Sequence, residues 1–179
     1  MNSLDNIRIV LINTQFGGNI GAVARAMKNM GLSRLYLINP GQFPDKSAYI
    51  RATNATEILE QAIILTNLAE AIADCKLVIG TSTRERGFSL PMLTARECGE
   101  KLINESVTEP VALVFGQESS GLSSEDLKPC NYQGYIPANP AYSSLNLGAA
   151  VQTFCYEIFQ ASESAQPLSK ADVSHYPDN

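Results

Sequence analysis

Histidine is nearly missing from this sequence: His175 is the only one, and it lies in the polar C-terminal stretch SESAQPLSKADVSHYPDN. That placement excludes a histidine-based triad and a His-rich metal site, because both need imidazole inside the fold. Cys75, Cys98, Cys130 and Cys155 are widely scattered and form no C-x-x-C pair. Neither a zinc site nor a disulfide framework is expected, no metal is assigned, and the thiols read as reduced, buried, small apolar groups. No apolar run approaches the length that crosses a bilayer, and MNSLDNIRIV has no basic region leading into a long apolar core. The expectation is therefore a cytoplasmic protein with no membrane partner. Positive charge is also in short supply: 13 Lys and Arg against 18 Asp and Glu leave a net charge of −5. Phosphate contacts need clustered cations, so the mean charge does not point to nucleic acid, although an acidic chain can carry a basic rim around one site.

What is present is ordinary globular material. The 179 residues are 45% hydrophobic and 17% charged, enough for one domain that buries a continuous sheet. Short β-branched runs recur: IRIVLIN, RLYLIN, AIILT, KLVIGT, PVALVFG and YQGYIP. They alternate with helical patterns, which predicts an α/β fold with a mostly parallel sheet and helices on both faces. Ile20, Val23, Ala24, Met27 and Gly31 mark one face of the first helix, and Asn67 is placed to cap a second. Thr94 and Glu97 have capping-box spacing, Ser123 or Ser124 can cap SEDL, and a long helix is predicted from near Leu145 through Gln160. Residues 1–162 form the expected domain. Residues 163–179 read as a polar tail or the start of a truncated C-terminal extension.

Four loops carry the functional signal. In FGGNIGAVARAMKNMG, Gly17, Gly18 and Gly21 open a helix directly after a strand. The spacing is neither G-x-G-x-x-G nor a P-loop, which leaves a tight strand-to-helix turn or an anion clamp completed by Arg25. TSTRERGF sets Arg84 and Arg86 beside a Ser/Thr loop, either as an exposed charged loop or as a basic rim. FGQESSGL follows an apolar strand and carries Glu118, which has no evident carboxylate partner for glycosidase chemistry. NPAYSSLNLGAA offers Ser143 or Ser144 as a helix cap, but lacks the G-x-S-x-G elbow of a serine hydrolase. Gly148, Ala149 and Ala150 allow another backbone to approach closely. In parallel sheets such loops converge beyond the carboxyl ends of the strands, where ligands bind.

GNIGAVARAMKNMGL, GTSTRERG, FGQESSGL and NPAYSSLNLGAAVQ, in that order, resemble the SPOUT superfamily of RNA methyltransferases. Within it they are most similar to the TrmJ-like branch, the tRNA cytidine/uridine 2'-O-methyltransferases acting on anticodon-loop nucleotide 32. The resemblance spans roughly Ile7 to Gln160. It implies a C-terminal trefoil knot, an exception to unthreaded connections, a homodimer, tRNA as partner, and S-adenosyl-L-methionine as cofactor. It assigns Thr81, Ser82, Thr83, Gly116, Ile136, Ser143, Ser144 and Leu145 to the cofactor, and Arg25 with Asn19 to catalysis. Arg84, Arg86, Glu118 and Lys28 fall toward the substrate RNA. Two positions depart from the family pattern: Gln117 stands where arginine is common, and Ala22 where serine is common. Alternatives are a SPOUT enzyme for the wobble nucleotide or rRNA and, from another class, a non-catalytic nucleotide-binding module. If Arg25 orients the 2'-oxygen, Arg25→Ala abolishes methylation while calorimetry finds cofactor affinity nearly unchanged; most of the turnover surviving would remove the assignment.

Overall fold

The computed structural model describes residues 2–82 and 90–165. Seven strands form one wholly parallel sheet: β1 (Ile7–Ile12), β2 (Arg34–Ile38), β3 (Ile63–Leu65), β4 (Leu77–Thr81), β5 (Met92–Thr94), β6 (Val111–Phe115) and β7 (Tyr132–Tyr135). Their spatial order is β3-β2-β1-β6-β4-β7-β5. The central strands are apolar on both faces because both faces are covered. Ile7, Ile9 and Leu11 of β1, with Val111, Leu113 and Phe115 of β6, enter the larger core cluster. The alternate residues Val10, Ile12, Ala112 and Val114 enter the smaller one. The period of two thus fixes which residue faces which helix layer.

The larger layer contains α1 (Gly17–Asn29), α2 (Lys46–Ala52), α3 (Thr56–Glu60), α5 (Ala95–Ser106) and α7 (Leu147–Ser164), and the opposite face carries α4 (Leu68–Ile72) and α6 (Ser124–Leu127). Local chemistry sets their boundaries. Asn67 caps α4, while Thr94 with Glu97 and Ser123 with Asp126 form reciprocal capping boxes for α5 and α6. The long C-terminal helix begins two residues later than its sequence pattern predicts. Asn146, not Ser143 or Ser144, supplies the cap, its Oδ1 accepting from the N–H groups of Gly148 (2.9 Å) and Ala149 (3.4 Å). The strand β5 and the helices α2 and α3 carry no expectation from the sequence; each is seven residues or fewer.

Two glycines of the opening loop have a packing role. A Cβ on Gly21 would overlap the Ala48 carbonyl in α2, and one on Gly17 would lie 2.7 Å from the Gln42 oxygen. They let α1 and its neighbour come into backbone contact, as the small residue Gly148 lets α7 approach Ala22 of α1. The free thiols behave as small apolar groups: burial pushes Cys98, Cys130 and Cys155 up to about 12. Among the described residues no helix is long and apolar enough to cross a membrane, and no cluster of ligating side chains could hold a metal.

The last strand to form in sequence, β7, lies between β4 and β5 and pairs with both. The trefoil threading implied by the resemblance would involve the β4–β5 connection, whose residues 83–89 lie outside the described set. Because Gly21 leaves no room for a side chain, Gly21→Ala forces α1 from α2 and lowers stability by about 2 kcal/mol. A urea titration followed by circular dichroism measures it, and an unchanged midpoint contradicts the packing account.

Candidate active site

Parallel strands deliver their following loops to one edge, and three of these loops enclose a cavity of about 470 Å³. Such a volume suits a ligand of nucleoside size. Thr81 and Ser82 line it from the end of β4, Gly116 to Gly121 from the end of β6, and Ile136 with Ser143 to Leu145 from the connection between β7 and α7. Phe115 and Phe154 close its apolar side in an edge-to-face pair, centroids 5.6 Å apart. Polar rims therefore surround an aromatic floor. Thr81 is held there because its hydroxyl donates to the Val114 carbonyl at 3.0 Å, tying the ends of β4 and β6 together.

The loop after β6 folds back on itself. Gly121 donates its N–H to the Gln117 carbonyl at 2.8 Å, and its φ of +69° is one that glycine accepts without strain. A Cβ on Gly116 would overlap the backbone of Gly121 and Leu122, so the ring closes only around glycine. The result is a rigid wall of backbone groups facing the cavity.

Glu118 projects from this ring to the start of α1. One carboxylate oxygen accepts the Gln15 N–H at 2.9 Å, and the other accepts from the Phe16 N–H at 3.1 Å and the Asn19 Nδ2 at 3.0 Å. The position before α1 belongs to Phe16, which has no capping side chain. A carboxylate at a helix N-terminus supplies both the acceptors and the favourable charge. Partial burial raises the Glu118 pKa, but the bonds from Gln15, Asn19 and Phe16 outweigh that and hold it below the ordinary value of 4.5. The donors at this turn are thus taken up by the chain's own carboxylate. Sequence reading assigns Glu118 to RNA; in the structure its carboxylate accepts from the donors at the start of α1.

Of the residues assigned to the cofactor, Thr81, Ser82, Gly116, Ile136, Ser143, Ser144 and Leu145 all meet at this cavity. Thr83, Arg84 and Arg86 lie outside the described residues. Asn19 joins the site through Glu118. Arg25 does not line the cavity of its own chain. It is exposed on α1, between Ala22, which packs near Gly148, and Asn29, whose Nδ2 is 3.5 Å from Gln152 of α7. Lys28, assigned to RNA, instead donates to the Asn54 carbonyl and pairs with Glu57, both at 2.6 Å. Sequence reading misses Phe115, Phe154 and Gln117 as lining residues. Phe154 has a legible signal, since it shares the buried stripe of α7 with Val151 and Ile158.

The pattern of the SpoU rRNA Methylase family matches residues 6–156. The tRNA (cytidine/uridine-2'-O-)-methyltransferase TrmJ of Klebsiella pneumoniae is 49% identical over 178 residues, 97% of this chain and 73% of that protein. A probable methylase family protein from Haemophilus influenzae Rd KW20 has a structure alike at a TM-score of 0.86 and 44% identity, covering 98% of this chain and 73% of that one. TrmJ from Z. mobilis ZM4 follows at a TM-score of 0.82 and 37% identity, covering 86% and 68%.

Glu118→Gln presents an amide to backbone donors and loses the charge, lowering stability at pH 7 by about 1 kcal/mol. Because the folded pKa is depressed, the margin between wild type and variant is full above the ordinary 4.5 and disappears as pH falls through the depressed value. Urea unfolding of both proteins between pH 7 and 3 reads this out. A margin that does not narrow on acidification would show that the carboxylate charge is not what holds the loop.

Proposed function

The chain belongs to the SpoU rRNA methylase family, and from that membership we propose that it is a tRNA 2'-O-methyltransferase using S-adenosylmethionine, with cytidine or uridine 32 of the anticodon loop as target. The observation that carries the proposal is the convergence of seven residues assigned by the resemblance, Thr81, Ser82, Gly116, Ile136 and Ser143 to Leu145, on one cavity. The residues present fit the cofactor. An aromatic floor suits an adenine ring, Ser and Thr hydroxyls with loop backbone suit ribose and amino-acid groups, and the Gly116 wall admits close approach. When bound, the cofactor would supply a methyl group on a sulfonium, which the 2'-oxygen can accept by in-line displacement as the neutral thioether leaves and the hydroxyl proton is lost, chemistry that needs no metal.

The chain's own residues hold the reactants in place. Thr81 fixes the strand ends that shape the cavity, and Glu118 locks its wall to the start of α1, which carries Asn19 and Arg25. Such positioning is the main catalytic contribution available to a two-reactant displacement. Arg25 orients the 2'-oxygen and its adjacent phosphate; a guanidinium with a pKa above about 12 is a poor base, so proton removal is a secondary role. Since Arg25 lies off its own chain's cavity, it serves the site of a second copy, and the working enzyme is a knotted homodimer acting on cytoplasmic tRNA. Residues 1–162 make up its methyltransferase domain.

Calorimetry and a methyl-transfer assay test this together. The expected result is binding of S-adenosylmethionine, not ATP, and transfer of label to tRNA from cells lacking the protein, at nucleotide 32. Label at the wobble nucleotide or in rRNA would move the target within the family. Tight ATP binding with no S-adenosylmethionine binding would end the methyltransferase reading in favour of a nucleotide-binding module.

A further inference from the structure

The acidic balance of the chain poses a problem for any RNA substrate. With a net charge of −5, attraction to phosphate is weak, and of the cations assigned to RNA within the described residues Lys28 is paired with Glu57. A contact that does not depend on charge would add affinity where the mean charge does not. Two side chains have the chemistry. Phe16 is 60% exposed and Tyr142 is 83% exposed, and each adjoins a residue that lines the cavity. Phe16 binds through its N–H to Glu118, itself a lining residue. Tyr142 precedes the lining residue Ser143, and its N–H donates to the Asn139 carbonyl at 2.9 Å.

Neither ring belongs to the buried core. Phe16 occupies the position before a helix where a small polar side chain is favoured, and Glu118 already satisfies the local donors. Tyr142 ends a turn that Asn139 organises, its Oδ1 accepting the Ala141 N–H at 3.1 Å. In both cases the backbone is pinned while the aromatic face is left to solvent. Exposed rings on a fixed backbone are a low-entropy stacking surface.

We propose that Phe16 and Tyr142 form a base-stacking platform at the rim of the cavity, holding the bases of an unpaired RNA segment while the target ribose enters. The proposal rests on the RNA methyltransferase reading above. A ribose delivered to the cavity carries its base and its neighbours within one nucleotide of the rim, and stacking is tolerant of base identity and insensitive to net charge. It assigns to these rings an affinity role that arginines fill in more basic proteins. Neither residue is a catalytic residue, since the reacting atoms lie inside the cavity.

The test uses the full chain with S-adenosylmethionine and unmodified tRNA, comparing wild type with Phe16→Ala, Tyr142→Ala and the conservative Tyr142→Phe. Each alanine variant is expected to raise the KM for tRNA about tenfold, with kcat, cofactor affinity and melting temperature unchanged. Tyr142→Phe should restore wild-type KM, and the fold-loss should be the same at low and high salt, because stacking is not screened. Unchanged KM in both alanine variants overturns the proposal. So does a shift in oligomeric state by sedimentation, which would make the rings an interface between copies. If wild type itself methylates no RNA, the underlying functional reading has failed instead, and the two failures are distinct.

Discussion

A single carboxylate, Glu118, joins the two halves of this site. The wall after β6 and the helix α1 are separated by about a hundred residues of sequence, and three hydrogen-bond donors on Gln15, Phe16 and Asn19 converge on that one side chain. Without it the start of α1 has no cap, since Phe16 cannot provide one. The rigid ring around Gly116, closed only because glycine leaves room, transmits the position of the carboxylate to the cavity. Charge, backbone geometry and burial thus act in series.

That arrangement also explains which parts of the protein were legible in its sequence. The strands announced themselves through buried β-branched runs, and Asn67, Thr94 and Ser123 marked helix starts by local chemistry alone. The loops lining the cavity were legible because topology brings them to one sheet edge whatever their detailed course. Glu118 was not, because its partners are remote in sequence and nothing local to FGQESSGL hints at α1. Gly17 and Gly21 were misleading for a related reason: glycine freedom serves a ligand or a packed helix equally well, and the choice was made by α2, whose own pattern was too short to read. Asn146 displaced Ser143 and Ser144 as cap, which leaves both serines at the cavity.

Arg25 belongs to a different category. Its presence was evident, but its geometry shows that a single chain presents it away from its own cavity, beside the close contact of α1 with α7. Lys28, one turn further on, is held by Asn54 and Glu57 and helps to fix α3 against α1. Two basic residues of one helix therefore divide into a structural cation and a free one, which no charge count could separate.

The place of β7 has a consequence for how the cavity comes into being. This strand lies between β4 and β5, which both precede it in sequence, and its continuation supplies Ile136, Ser143 and Leu145 to the cavity wall. The pocket is therefore finished only when the last third of the chain is in place, and a ligand that fills it binds the completed fold and no earlier form. Occupancy and the pairing of β7 are thermodynamically linked, so a ligand that fills the cavity adds to the stability of this end of the sheet.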